Sequence, residues 1–254
     1  YIMVGLETPG TLPEPDRMNT KVVYQQLAEM QKAMKTVFLV NFFRTNEMKV
    51  ELKDTSFSSI SSVMLFFLAR SGNEILSYKK IALTPSGQLV SLPKKHDRFN
   101  QGIEIVFKKI GSDKIQTVKF FSVDLSDGAL KKTPHLLNFM KKYDHVTCML
   151  KSASYLMHYN DFSSVRNLIL DRAVFLLQDD SGIPYKFFGV KNWITQFYGK
   201  IRVLDMFKSR NQPELNEKIK NHSLGILPFA YGYGFSPEKS HLMIIRKHLM
   251  KQML

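Results

Sequence analysis

Gly102-Ile103-Glu104-Ile105-Val106-Phe107-Lys108-Lys109 is the stretch on which the fold turns. Ile103, Ile105 and Phe107 fall on one side of an extended chain, with Glu104, Val106 and Lys108 on the other. That period of two is the mark of a half-buried β-strand. Gly111-Ser112-Asp113 then supplies turn chemistry, and Ile115–Val123 reads as the next strand. Working outward, Val63–Ala69, Ile75–Thr84 and Leu89–Leu92 read as strands too. Ser71-Gly72-Asn73 and Pro85-Ser86-Gly87 punctuate them. Links this short force antiparallel pairing, because parallel neighbours need a long crossover. The expectation is an antiparallel β meander over about residues 60–123.

Upstream, Tyr1–Gly5 reads as a strand. Glu7–Asp16, with Pro9, Gly10, Pro13 and Pro15, reads as a loop. A helix is expected from Asn19-Thr20 to about Met34, with Val23, Leu27 and Met30 on one face. Downstream the chain reads as mainly helical. Thr133 caps a helix to about Tyr143. A second runs over 146–158. A third, capped by Asp161 or Ser163, reaches Arg172. Ala173–Gln178 and Ile183–Phe188 read as a hairpin. Trp193 and Phe197, four apart, read as a short helix, and Pro213 opens a polar one. Ile226–Tyr231 reads as an edge strand. Ser236-Pro237-Glu238 starts a last helix with Leu242, Ile245, Leu249 and Met253 on one face. The expected fold is α+β. Its meander packs with a mainly helical C-terminal half that contains one additional hairpin, in a single domain over 1–254. A chain that opens on Tyr1 inside a strand reads as lacking some N-terminal sequence.

The 254 residues are 44% hydrophobic and 23% charged, enough for a core and far from a disordered composition. No run reaches the roughly 18 apolar residues of a membrane span. One cysteine, Cys148, rules out an internal disulfide. The net charge of +14 has an uneven origin. Residues 1–55 balance at 7 Lys/Arg against 7 Asp/Glu, so the excess lies beyond them. Such a surplus favours anionic partners: acidic polymer, lipid headgroups or nucleic acid.

Walker, G-x-S-x-G, H-E-x-x-H, C-x-x-C and dinucleotide signatures are absent. No metal and no cofactor is expected. Three local patterns remain. On a helix, Lys151, Ser154 and His158 share a face, and a hydroxyl beside an imidazole and an ammonium is raw material for nucleophilic or acid–base chemistry. The same face also reads as a satisfied polar stripe. Asp179-Asp180-Ser181-Gly182 offers two carboxylates for acid–base work and equally reads as a turn. If Asp179 and Asp180 meet the 146–158 helix, the two patterns become one hydrolase-like site. Tyr231-Gly232-Tyr233-Gly234, before the expected last helix, offers an anion-binding backbone flanked by rings.

Several segments resemble those of a group of uncharacterised bacterial proteins, exported or lipid-anchored. They are Val4-Gly5-Leu6-Glu7, Phe42-Phe43-Arg44-Thr45, Phe67-Leu68-Ala69-Arg70, Leu150 through His158, Gln178 through Pro184 and Phe197-Tyr198-Gly199. The resemblance implies an envelope location and sequence upstream of Tyr1, and supplies no mechanism. The function expected first is a non-catalytic envelope protein that binds an anionic polymer, a lipid headgroup or a protein partner. A hydrolase-like enzyme and a nucleic-acid binder are the alternatives.

Overall fold

The computed structural model describes residues 1–10, 12, 19–25, 27–28, 31, 59–92, 100–150, 153–201, 205–234 and 236–248. It contains helices and two mixed sheets, an α+β chain. The described residues group into two compact units that meet in sequence at Lys142 and Tyr143.

The first unit is built on a sheet of order β1-β5-β4-β2-β3. Its strands are β1 (Ile2–Gly5), β2 (Asn73–Leu83), β3 (Leu89–Ser91), β4 (Gln101–Lys109) and β5 (Ile115–Ser122). In β4 the alternation holds: Ile103 and Ile105 are fully buried, facing Phe120 and Val118 of antiparallel β5. Each such side chain contributes roughly 1.5–3 kcal/mol by leaving water. Gly102 lets the two strands close up, since a Cβ there would fall 2.1 Å from the Phe120 carbonyl oxygen.

The sheet is not the five-strand antiparallel meander expected. Val63–Ala69 belongs to helix α1 (Ile60–Arg70), and β1 takes the outer place, parallel to β5. The apolar run Val63-Met64-Leu65-Phe66-Phe67-Leu68 suits either state. The local chemistry at its ends selects the helix. Ser59 accepts from the Ser62 amide at 3.2 Å as N-cap, and Asn73 Nδ2 donates to the Leu68 carbonyl at 2.9 Å. Residues 20–25 are helical, and the rest of the expected 19–34 helix lies partly outside the described residues. Two short helices, α2 (Asp127–Lys132) and α3 (His135–Met140), follow β5.

The second unit holds the larger correction: its frame is a sheet and not a set of helices. The order is β6-β7-β9-β8, from β6 (Val146–Leu150), β7 (Ala173–Gln178), β8 (Trp193–Gly199) and β9 (His241–Lys247). β6 and β7 are parallel, joined through α4 (Ser163–Arg172), while β9 is antiparallel to both β7 and β8. The expected 146–158 helix is therefore a strand followed by a 3-10 turn at Leu156–His158. The expected 173–188 hairpin keeps only its first strand, because Tyr185–Phe187 is a 3-10 turn. Trp193–Phe197 is strand rather than helix, and residues 226–231 lie in no strand. The last helix is a 3-10 turn and then β9, with Leu249 and Met253 outside the described residues. The polar helix at Pro213 forms as α5 (Pro213–His222), burying Leu215 and Ile219.

Candidate functional site

All three sequence patterns lie in the second unit, and its topology brings them together. Leu150 pairs with Gln178, so the chain leaves the parallel strands β6 and β7 at the same edge of the sheet. β9 is antiparallel to β7 and begins at that edge, with Gln178 opposite Met243. The carboxyl ends of parallel strands are where open sheets tend to place ligands.

The loop after β7 is a buried polar turn. Gln178, Asp179 and Ser181 are fully buried, and Asp180 is 3% exposed. Gln178 closes the turn with its own amide: Nε2 donates to the Ile183 carbonyl at 2.7 Å, and Oε1 accepts from the Ile183 amide at 3.0 Å. Asp179 Oδ1 accepts from the Ser181 amide at 3.0 Å and the Ser181 hydroxyl at 2.5 Å. The Ser181 hydroxyl accepts in turn from the Ala153 amide at 2.7 Å, and the Ser181 carbonyl from the Tyr155 amide at 3.1 Å. Asp179 Oδ2 lies on Gly232, where a Cβ would fall 2.1 Å from it and φ is +63°. Only glycine fits that place without strain.

Asp180 sits between two groups the sequence patterns did not include. The Tyr155 hydroxyl donates to Asp180 Oδ2 at 2.5 Å. His241 Nε2 accepts from the Asp180 amide at 2.9 Å and lies 3.1 Å from Asp180 Oδ1. One ring nitrogen cannot accept from the amide and donate to the carboxylate at once. The donation from the Asp180 amide is the hydrogen bond made, and the carboxylate oxygen lies beside it. Tyr155 is 2% exposed, and its hydroxyl is pushed far up, first by burial and then by the charge of Asp180.

Ser154 and Tyr155 both adopt left-handed backbone, φ +54° and +56°. Two successive non-glycine residues in that region store strain, a feature that clusters at functional sites. The exposed Ser154 hydroxyl shares a hydrogen bond with the Tyr233 hydroxyl at 2.9 Å. Tyr155, Phe207 and Tyr233 form a ring cluster, with Phe207 4.6 Å from Tyr155 and 5.3 Å from Tyr233.

His158 donates from Nε2 to the Asp180 carbonyl at 3.2 Å, beside Gln212 Nε2 at 3.0 Å on the same oxygen. Burial chiefly lowers the His158 pKa. Asp180 opposes this, and Arg210 and Lys186 add to it. Cations gather here. Arg166, 7% exposed, donates to the Met157 and Tyr159 carbonyls on either side of His158 and stacks on Phe187. The Arg210 guanidinium lies 3.9 Å over the Tyr159 ring. Among the described residues, Arg166, Lys186 and Arg210 have no carboxylate within ion-pair distance.

The sequence patterns thus meet, but not as written. Ser154 and His158 share no α-helix face among the described residues, because Ser154 lies in a turn and His158 ends the 3-10 turn after it. Ser154 bonds Tyr233, and His158 bonds a backbone carbonyl. A nucleophile hydrogen-bonded to its base is not assembled in this state. Lys151 lies outside the described residues. The anion site expected at Tyr231, Gly232, Tyr233 and Gly234 is also corrected. A strand replaces its helix, the Tyr231 amide is used by Ser240 Oγ, and the Asp179 carboxylate fills the open face of Gly232. Tyr231, 5% exposed, cannot stack on a base, and the nucleic-acid alternative loses that support. Gly234 falls in a 3-10 turn. The sequence reading missed Tyr155, Arg166, Arg210, Gln212 and His241. The one usable signal was the pair of carboxylates itself, since buried acids require donors.

Among the described residues, no His, Cys, Asp or Glu cluster is arranged to hold a metal, and no helix is long and apolar enough to cross a membrane. No protein-family model matches the chain, and comparisons with curated proteins and with solved structures give no significant match.

Proposed function

We propose that the chain is a non-catalytic protein of the bacterial envelope that binds an acidic polysaccharide through the rim around His158. One observation carries the reading: Lys186 and Arg210 stand beside His158 without a carboxylate partner among the described residues. Arg210 lies over the Tyr159 ring, and Phe207 and Tyr233 pack with Tyr155 beside His158, aromatic surface that suits the apolar side of a sugar. Unpaired cations beside such rings recognise a sugar that carries a negative charge. The net charge of +14 adds a long-range attraction. The envelope location rests on the resemblance of Leu150–His158 and Gln178–Pro184 alone.

The test is binding of polygalacturonate against neutral dextran at rising salt. Polygalacturonate is expected to bind, and to weaken steeply between about 50 and about 200 mM salt. Arg210→Ala should reduce the affinity roughly fivefold or more. Equal affinity for dextran, or binding indifferent to salt, would sink the proposal.

A second reading, a hydrolase-like enzyme, draws on the left-handed Ser154-Tyr155 pair above the Tyr155-Asp180-His241 chain. Here Ser154 is the nucleophile, and His241, held against Asp180, is the acid–base element. Turnover of fluorogenic esters that vanishes in both Ser154→Ala and His241→Gln would favour it over the binding role.

A further inference from the structure

Elsewhere in the second unit, a cavity of about 380 Å³ opens between β8 and α5. That size is at the lower end of the roughly 300–1,000 Å³ of small-molecule sites. Its floor is four aromatic side chains, each at most 8% exposed: Tyr185, Phe188, Trp193 and Phe197. Edge-to-face pairs hold the floor in shape, Phe188 on Trp193 at 5.5 Å and Tyr185 on Phe197 at 5.7 Å. Val190 and Leu224 line it at 80% and 62% exposed, large apolar side chains left in water at its mouth.

One wall differs. Lys218 and His222 lie four apart on α5, so they project on the same face, and both line the cavity. Lys218 has no carboxylate partner among the described residues. Glu214, one turn earlier, is close enough for its charge to reach Tyr185 but does not line the cavity. Thr195 and Gln196 of β8 add neutral hydrogen-bonding groups to the lining. No acidic side chain is among the lining residues.

We infer that this cavity is a binding site for a small amphipathic carboxylate, with its apolar body on the aromatic floor and its head on Lys218 and His222. The two halves of the cavity ask for different things. Buried rings and an exposed apolar mouth gain from covering by hydrocarbon. An unpaired ammonium at the edge of that low-dielectric surface gains from an anion, more than it would in open water. A neutral hydrocarbon satisfies only the first and a free acetate only the second. The site stands apart from the proposed polysaccharide rim, since neither Arg210 nor His158 lines it.

Trp193 is the only tryptophan of the chain, so its emission reports on the cavity directly. The experiment titrates the whole protein with decanoate, decanol and acetate while that emission is followed. Decanoate is expected to give a saturable change, decanol to bind roughly fivefold or more weakly, and acetate to give none. In Lys218→Glu, checked for native circular dichroism, the advantage of decanoate over decanol should disappear. In Arg210→Ala it should remain. No saturable response to decanoate, equal binding of decanol, or an advantage that survives Lys218→Glu would overturn the inference. So would an equal loss in Arg210→Ala, which would mark a general charge effect.

Discussion

Replacing Tyr155 by Phe removes one hydroxyl and leaves the ring, with its contacts to Phe207, His158 and Tyr233, in place. What is lost is the 2.5 Å donation to Asp180 Oδ2, between groups 2% and 3% exposed. A hydrogen bond to a charged acceptor is worth roughly 1.5–3 kcal/mol, and water reaches this oxygen poorly, so the expected loss is about 2 kcal/mol. With a urea slope of about 2 kcal/mol/M, the unfolding midpoint of the second unit should fall by about 1 M. Trp193 emission follows that unit alone. The pH dependence gives an independent check. Burial raises the Tyr155 pKa, so keeping its proton stabilises the fold fully below the unfolded value of about 10, and this stability declines as pH rises beyond it. One such group contributes about 1.4 kcal/mol per pH unit to the alkaline decline. Tyr185, Tyr231 and Tyr233 shift in the same direction, so Tyr155→Phe should shallow the decline by one group rather than abolish it. A stability within about 0.5 kcal/mol of the parent, with an unchanged alkaline slope, would refute the view that Tyr155 and Asp180 hold this end of the sheet.

Three further outcomes follow from other positions. Gly232→Ala places a Cβ 2.1 Å from Asp179 Oδ2 at φ +63°, and should cost at least about 2 kcal/mol in the same urea experiment. His158, lowered by burial, should titrate below its ordinary value of about 6.5 in NMR spectra. Its neutral form stabilises the fold above that value, and the stability is lost as pH falls through the folded pKa; Arg210→Ala should move that pKa back up. Burial pushes the Cys148 thiol up to about 11, so iodoacetamide at about pH 8 should alkylate the native protein roughly a hundredfold more slowly than the unfolded chain.

β4 was legible because it buries one face, and burial of one face writes itself as alternation, whereas β5, which buries both Phe120 and Phe121, was marked by the turn before it. The second unit hid its sheet for two physical reasons. β9 lies between two strands and buries residues on both sides, so His241-Leu242-Met243-Ile244-Ile245 shows no alternation and fits a helix equally well. Trp193 and Phe197, four apart, share one face of a helix and also one face of a strand, so that spacing could not decide. In 146–150, partnership with β7 overrides a pattern that suits a helix, and no local residue announces the partner. The site followed the same logic. Asp179, Asp180, Ser154 and His158 were visible as polar residues amid apolar ones, but what brings His158 to Asp180 is the pairing of β6 with β7 and not a helix face. His241 lies 61 positions from Asp180, and only the strand order makes them neighbours.

That strand order has a consequence for synthesis on the ribosome. β9 occupies the slot between β7 and β8, yet it is translated after both. Until residues 241–247 emerge, β7 and β8 have no common partner, and the carboxyl group of Asp180 lacks the imidazole that will face it. The nascent second unit must therefore wait with two open apolar edges. It is the half of the chain that would rely on a holding chaperone, whereas the 119–122 segment of β5 completes the first sheet long before.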